Sequence, residues 1–314
     1  MSQSLPIKEG NIPFKSPLFD KECFTYYKII GDLSHGPAVV CLHGGPGGSH
    51  DYLEPFEIIW SQYGLPVIFY DQIGNGKSTH FQEKAGDESF FTEDLFIAQL
   101  DGLLDHLQLR DGKGFHIYGQ SWGAMLGAAF ATRRPRGLQR LVLANGPASA
   151  PLYQRAADKL AESFPEHIRT ALADAERDQA FDDQAYKDAV AYIHKQTRWR
   201  RDGPLPEPMR RAYQNVTDDD TVMRTMYGPN VAKFTGSLRD WTCIPRLHNI
   251  AVPTLVYNGE HDSADSSTQM PFFELVPRVR WVTFQDGCHM CHLEDGPIQD
   301  KVLRTVGEFL RAAA

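Results

Sequence analysis

The chain of 314 residues is 42% hydrophobic and 23% charged, a balance that excludes fibrous and disordered classes and leaves room for a sizeable core. Its formal net charge of −8 argues against a nucleic-acid partner, which needs a basic stripe, and no apolar run is long enough to span a membrane. Cys23, Cys41, Cys243, Cys288 and Cys291 make an odd count in a chain that needs no staples, and residues 1–9 show no secretory leader, so reduced thiols in a cytoplasm are expected.

Short β-branched and aromatic runs predict strands at 24–30, 38–42, 67–70, 115–118, 141–144, 254–258 and 280–284. Residues 92–107 carry helical apolar spacing at Leu95, Phe96, Leu100, Leu103, Leu104 and Leu107. Gly102 inside that helix costs about 1 kcal/mol against Ala and is expected to serve close packing. Strands alternating with longer helical patterns predict an α/β fold around a mostly parallel sheet. Over 147–247 the strands vanish and amphipathic helices take over, broken at Pro165, Pro204, Pro206 and Pro208. This predicts a helical cap at 147–247 inserted into a core formed by 1–146 and 248–314. Lys195, Arg198, Arg200 and Arg201 form a short basic run, read as a solvated helix end.

Two glycine-rich segments carry the chemistry. Gly119-Gln120-Ser121-Trp122-Gly123 lies between the strand at 115–118 and a small-residue helix, the context in which G-x-S-x-G presents a nucleophile. The flanking glycines allow a turn too sharp for side chains, which pushes the Ser121 hydroxyl above the sheet edge and aims the Trp122 N–H at the same reacting carbon. The pentapeptide alone is weak evidence, because glycine and serine are common. His43-Gly44-Gly45-Pro46-Gly47 follows another strand and fits the loop that donates the second oxyanion N–H.

A serine nucleophile of this kind is followed in the chain by an acid and then a histidine. After the strand at 254–258 comes Gly259-Glu260-His261-Asp262, and Asp262 is the expected acid, with Asp265 next and Glu260 less favoured because the Gly259 turn aims it elsewhere. The competing reading makes Asp262 a helix cap. After the strand at 280–284, His289 follows the turn glycine Gly287 and is the expected base. His292 is the alternative, expected instead as a polar residue in a helical turn facing the cap and acting on substrate binding. Cys288 to His292 also spells C-x-x-C-H, but a haem implies export and zinc lacks a second ligand pair, so no cofactor and no metal are expected.

Taken together the chain resembles the proline iminopeptidase-like α/β-hydrolases, and within them the L-proline amide hydrolases. The resemblance runs through His43 to Gly47, His50-Asp51-Tyr52, Tyr70 to Ser78, Gly119 to Gly123, Gly228-Pro229-Asn230, Gly236 to Trp241 and Gly259 to Asp262. It implies Ser121, Asp262 and His289 as a catalytic triad, Gly44 and Trp122 as oxyanion donors, and a cap within 147–247. The family's aminopeptidases hold the substrate's free amino group with two acidic residues, and at those positions this chain has Val231 and Ser263. A buried ammonium without a counter-charge costs several kcal/mol, so poor activity toward a free N-terminal proline is expected.

The leading expectation is therefore a serine hydrolase acting on a small-molecule amide or ester through an acyl-enzyme. Gly45, Tyr227, Val231, Phe234 and Trp241 are the expected substrate-binding residues. A specialised esterase, lactonase or non-hydrolytic enzyme of the same fold is the alternative, and a ligand-binding protein on a retired hydrolase fold is a third reading, disfavoured by the intact triad pattern.

Overall fold

The computed structural model describes residues 5–230 and 232–312. The described residues form one eight-stranded sheet: β1 (Ile7–Ser16), β2 (Phe19–Ile30), β3 (Ala38–Leu42), β4 (Val67–Tyr70), β5 (Phe115–Gln120), β6 (Leu138–Ala144), β7 (Thr254–Gly259) and β8 (Val279–Phe284). Their spatial order is β1-β2-β4-β3-β5-β6-β7-β8, with β1 and β2 antiparallel to their neighbours and the remaining pairs parallel. Every residue of β3, β4, β5 and β7 is buried, as expected of parallel strands covered on both faces. β1 is the strand the residue pattern misses. It holds Gly10 and Pro13, only Ile12 and Phe14 are buried, and as an edge strand it tolerates a proline that a central strand would reject.

A 3-10 turn over His50–Glu57 runs into α1 (Ile58–Tyr63), followed along the chain by α2 (Glu93–His106) and α3 (Trp122–Thr132). Alternation along the strands splits the core. Val40, Ile117 and Leu141 share one cluster with Leu100 and Leu104 of α2 and Ala128 of α3. Val39, Cys41 and Tyr118 share the other with Ile59 of α1. Thr92 caps α2, its side chain accepting from the Leu95 N–H, in agreement with the expected start. The expectation for Gly102 is overturned: the position is exposed, and a Cβ added there would meet nothing within 4 Å. Its place in the helix answers no packing need.

Between β6 and β7 lie α4 (Ala150–Ala161), α5 (Glu166–Asp178), α6 (Gln184–Thr197), α7 (Glu207–Asp218) and α8 (Thr221–Met226). α5 and α6 bury few residues and share a small cluster built on Phe164, Ile168 and Ala189. After β7 come α9 (Ser266–Leu275) and, past β8, α10 (Pro297–Arg311), whose Val302 and Val306 join the cluster of α1. The chain leaves β3 for β4 on one side and returns to β5 on the other. That reversal opens a crevice at the carboxyl ends of β3 and β5, the place where open α/β sheets bind ligands.

Candidate active site

Ser121 sits between the last residue of β5 and the first of α3, with φ 58° and ψ −121°. This is left-handed backbone that a non-glycine residue occupies only when its surroundings enforce it. The glycines enforce it. A Cβ on Gly119 would lie 2.1 Å from the Gly123 carbonyl oxygen, and one on Gly123 would lie 2.0 Å from that of Leu42. Helix α3 is thereby pressed against β5 and β3, and the Ser121 N–H is tied to the Ala144 carbonyl of β6 at 2.8 Å.

His289 and Asp262 meet at the ends of β8 and β7. The His289 Nδ1 lies 2.9 Å from Asp262 Oδ1, with both residues buried. Asp262 is fully engaged: Oδ1 also accepts the Ala264 N–H at 2.9 Å, and Oδ2 accepts the Asn145 side-chain amide at 2.6 Å. The two alternative acids point elsewhere. Asp265 caps α9 through the Ser267 N–H, and Glu260 accepts the Asp286 N–H at the surface. Ser121 and His289 border the same two pockets.

A hydrogen-bond chain links the three loops. The Gly44 N–H donates to the Tyr52 hydroxyl at 2.6 Å, that hydroxyl donates to Gln120 Oε1 at 2.7 Å, and the Gln120 amide donates to the His289 carbonyl at 3.1 Å. Gln72 fixes the other side: its Oε1 accepts from the Trp122 indole at 2.8 Å while its Nε2 donates to the His43 carbonyl at 2.7 Å. The expectation that Gly44 supplies an oxyanion donor therefore fails, because its N–H is already spent inside the protein. The N–H groups of Gly45 and Trp122 make no hydrogen bond to another group among the described residues, and both residues border a pocket with Ser121. Tyr52 and Gln120 stand inside the sequence motifs and Asn145 directly after β6, yet nothing in their residue types announced these contacts.

His292 departs from its expected place. It lies in an irregular turn rather than a helix, fully buried against Tyr52 and Phe56, with Nε2 3.1 Å from the Tyr52 carbonyl. Burial pushes its pKa down to about 3, so it stays neutral and borders neither pocket. Trp241 is also corrected: its indole donates to Glu93 at 2.7 Å and it packs on the core instead of bordering the pockets at Ser121. Tyr227, Phe234 and Gly45 do border the smaller pocket. Val231 lies outside the described residues. Cys288 and Cys291 are buried thiols whose pKa is pushed up by burial, and the Cys288 N–H and thiol both donate to Glu294 Oε1, at 2.8 and 2.9 Å.

The basic run is a solvated helix end at Lys195, Arg200 and Arg201, which are exposed at and beyond the end of α6, but not at Arg198. Arg201 pairs at 2.9 Å with the buried Glu294, Lys195 folds back on the carbonyls of Arg200 and Arg201, and Arg198 borders both pockets at Ser121. The missed signal is positional, since only the packing of α6 on the His289 loop shows which of these cations turns inward.

A family profile of the alpha/beta hydrolase fold matches residues 37–296. The chain belongs to the α/β-hydrolase family. Within it the chain is proline iminopeptidase-like. It is 32% identical over 277 residues to the proline iminopeptidase of Lactiplantibacillus plantarum, covering 86% of this chain and 92% of the relative. It is 31% identical over 285 residues to that of Saccharolobus solfataricus, covering 91% and 88%. Among solved structures, VinJ superposes with a TM-score of 0.89 at 37% identity, covering 96% of this chain and 98% of VinJ. The proline iminopeptidase of Mycobacterium smegmatis superposes with a TM-score of 0.84 at 33% identity, covering 96% and 97%. The mostly parallel sheet and its helices agree with that assignment. No helix among the described residues is long and apolar enough to cross a membrane.

Proposed function

We propose that this hydrolase cleaves an amide or ester of a small molecule through an acyl-enzyme on Ser121. The observation that carries the reading is a serine held at φ 58° on a strand-to-helix turn, sharing its pockets with a histidine whose Nδ1 lies 2.9 Å from a buried carboxylate. Asp262 fixes the proton on Nδ1, which leaves Nε2 as the base. His289 takes the Ser121 proton as the oxygen attacks the carbonyl carbon, and the imidazolium that forms is stabilised by Asp262. The tetrahedral oxyanion is received by the N–H groups of Trp122 and Gly45, which make no other hydrogen bond among the described residues. His289 then returns the proton to the leaving group, and water repeats the sequence to release the acid. Helices α4 to α8 act in this reading as the cap at 147–247, closing the pockets from above. Labelling with a fluorophosphonate probe tests the nucleophile: native protein reacts, and equal labelling of Ser121→Ala overturns the assignment.

The relatives are named for removing proline from a free N-terminus, but a different substrate is favoured here. No Asp or Glu borders either pocket that contains Ser121 among the described residues, and Ser263 borders the smaller one, its hydroxyl 3.2 Å from that of Tyr153. An ammonium group entering these pockets loses its water without gaining a counter-charge. Acyl esters and N-blocked substrates escape that cost, so their kcat/KM exceeds that of unblocked proline amide. Efficient turnover of the unblocked amide would sink this second part while leaving the nucleophile in place.

A further inference from the structure

The charge that these pockets do contain is positive. Arg198 follows the last residue of α6 and borders the two pockets at Ser121 as well as an adjoining cavity of about 300 Å³ within the helical segment. It pairs with no carboxylate among the described residues. Its polar neighbours include the hydroxyls of Tyr213, Tyr153 and Tyr227. His194, one turn earlier on α6, is held neutral, since burial and the adjacent guanidinium push its pKa well below the usual imidazole range.

The position of Arg198 is also fixed. The carbonyl of the preceding Thr197 accepts the N–H of His289 at 2.9 Å, and the Arg198 N–H closes the end of α6 on the His194 carbonyl at 2.8 Å. Three residues on, Arg201 is clamped to Glu294, which in turn holds Cys288. The segment that carries the guanidinium is thus pinned on both sides to the loop that carries the base. A desolvated guanidinium needs hydrogen-bond acceptors, and tyrosine hydroxyls satisfy it weakly.

We propose that Arg198 binds a carboxylate carried by the substrate, so that the preferred substrates are acidic esters or amides. This rests on the hydrolase reading above. A carboxylate matches the planar fork of one guanidinium in two parallel hydrogen bonds, whereas a phosphate dianion calls for a second cation, and no Lys or other Arg borders the two pockets among the described residues. Hydroxyls of Tyr153 and Tyr213 supply further donors at the same place. The cavity within the helical segment does have acidic residues, Asp158 and Glu162 among them, and an amine-binding role for that cavity is the competing outcome.

The test compares three 4-nitrophenyl esters of equal length, the hydrogen adipate, the hexanoate and the 6-aminohexanoate, after subtraction of spontaneous hydrolysis. The native enzyme is expected to favour the adipate at least tenfold in kcat/KM over the hexanoate, the difference lying in KM, and to handle the amine worst. In Arg198→Gln the adipate-to-hexanoate ratio falls at least tenfold, and Arg198→Lys restores part of it. Preference for the amine, no preference, or an equal fall for all three esters in Arg198→Gln overturns the proposal, the last by showing a merely supporting role. A measurement independent of folding of the variants uses native protein alone: adipate monomethyl ester carboxylate and hexanoate should compete with the neutral ester, hexylphosphonate less well, and hexanamide and hexylamine least. Should no ester turn over and no fluorophosphonate react, the hydrolase reading fails by itself, and calorimetric binding of hexanoate to native protein and to Arg198→Gln still decides the role of Arg198.

Discussion

The two halves of the site are built by different means. On the sheet side, Ser121, Asp262 and His289 are set by backbone and by one carboxylate: carbonyl oxygens within 2.1 Å of where a Cβ would stand, strand ends in register, and Asp262 oxygens that are spent on fixed partners. On the helical side, Arg198, Tyr153 and Tyr213 belong to segments that bury little of their own surface, and the segment of Arg198 keeps its place through a few contacts to the base loop. Close backbone contact leaves almost no freedom in residue choice, so the sheet side tolerates few substitutions. The helical side imposes only a place for a side chain, and its identity is free to follow the substrate.

Five substitutions press on that contrast. Replacing His289 by Ala should lower kcat by about three to six orders of magnitude, as removal of a triad member does, while His292, fully buried and away from the pockets, acts on stability instead. The sign for His292 is fixed by its pKa, which is near 3 in the folded chain and near 6.5 in the unfolded one. As pH falls from 6.5 toward 3 the unfolded chain takes up a proton that the folded chain refuses, and stability drops by up to about 1.4 kcal/mol per pH unit. His292→Phe should therefore show a shallower loss of stability in denaturant titrations between pH 7 and pH 4. A parallel slope in the two proteins contradicts the burial argument.

A smaller effect is expected at Tyr52. Tyr52→Phe removes the hydroxyl that receives the Gly44 N–H and steadies Gln120, leaving two buried polar groups unpaired at a cost of about 1–3 kcal/mol each. Part of that cost falls on the placement of the neighbouring Gly45 N–H, so kcat should fall roughly tenfold or more with KM nearly constant. A change confined to KM would place Tyr52 on the substrate instead of on the oxyanion loop.

The smallest effect lies far from the site. Gly102 is an exposed helix position with open space where a Cβ would go, so Gly102→Ala should stabilise the protein by about 0.5–1 kcal/mol without altering kcat. The same substitution at Gly123 should abolish folding or activity, because there a Cβ meets the Leu42 carbonyl oxygen. A neutral thermal shift at Gly102 would mean that the denatured chain is already ordered around that helix.

By itself the sequence determined the strands from β2 to β8, because runs such as Val39-Val40-Cys41 and Leu255-Val256-Tyr257 are buried on both faces and have no other use. It also singled out Ser121, Asp262 and His289 by their places after strands, since a turn at the carboxyl end of a strand delivers a side chain to one edge of the sheet whatever the rest of the chain does. The tertiary structure decided what depends on partners distant in the chain. Gly44 loses its N–H to Tyr52, Trp241 turns to Glu93, and His292 sinks beneath the site, each through a contact that neither spacing nor residue type encodes. Arg198 shows the reason most directly. Four cations within seven residues look alike along the chain, and contacts such as the hydrogen bond from His289 to Thr197 and the pair of Arg201 with Glu294 fix how the end of α6 sits, with Arg198 bordering the pockets that Ser121 borders.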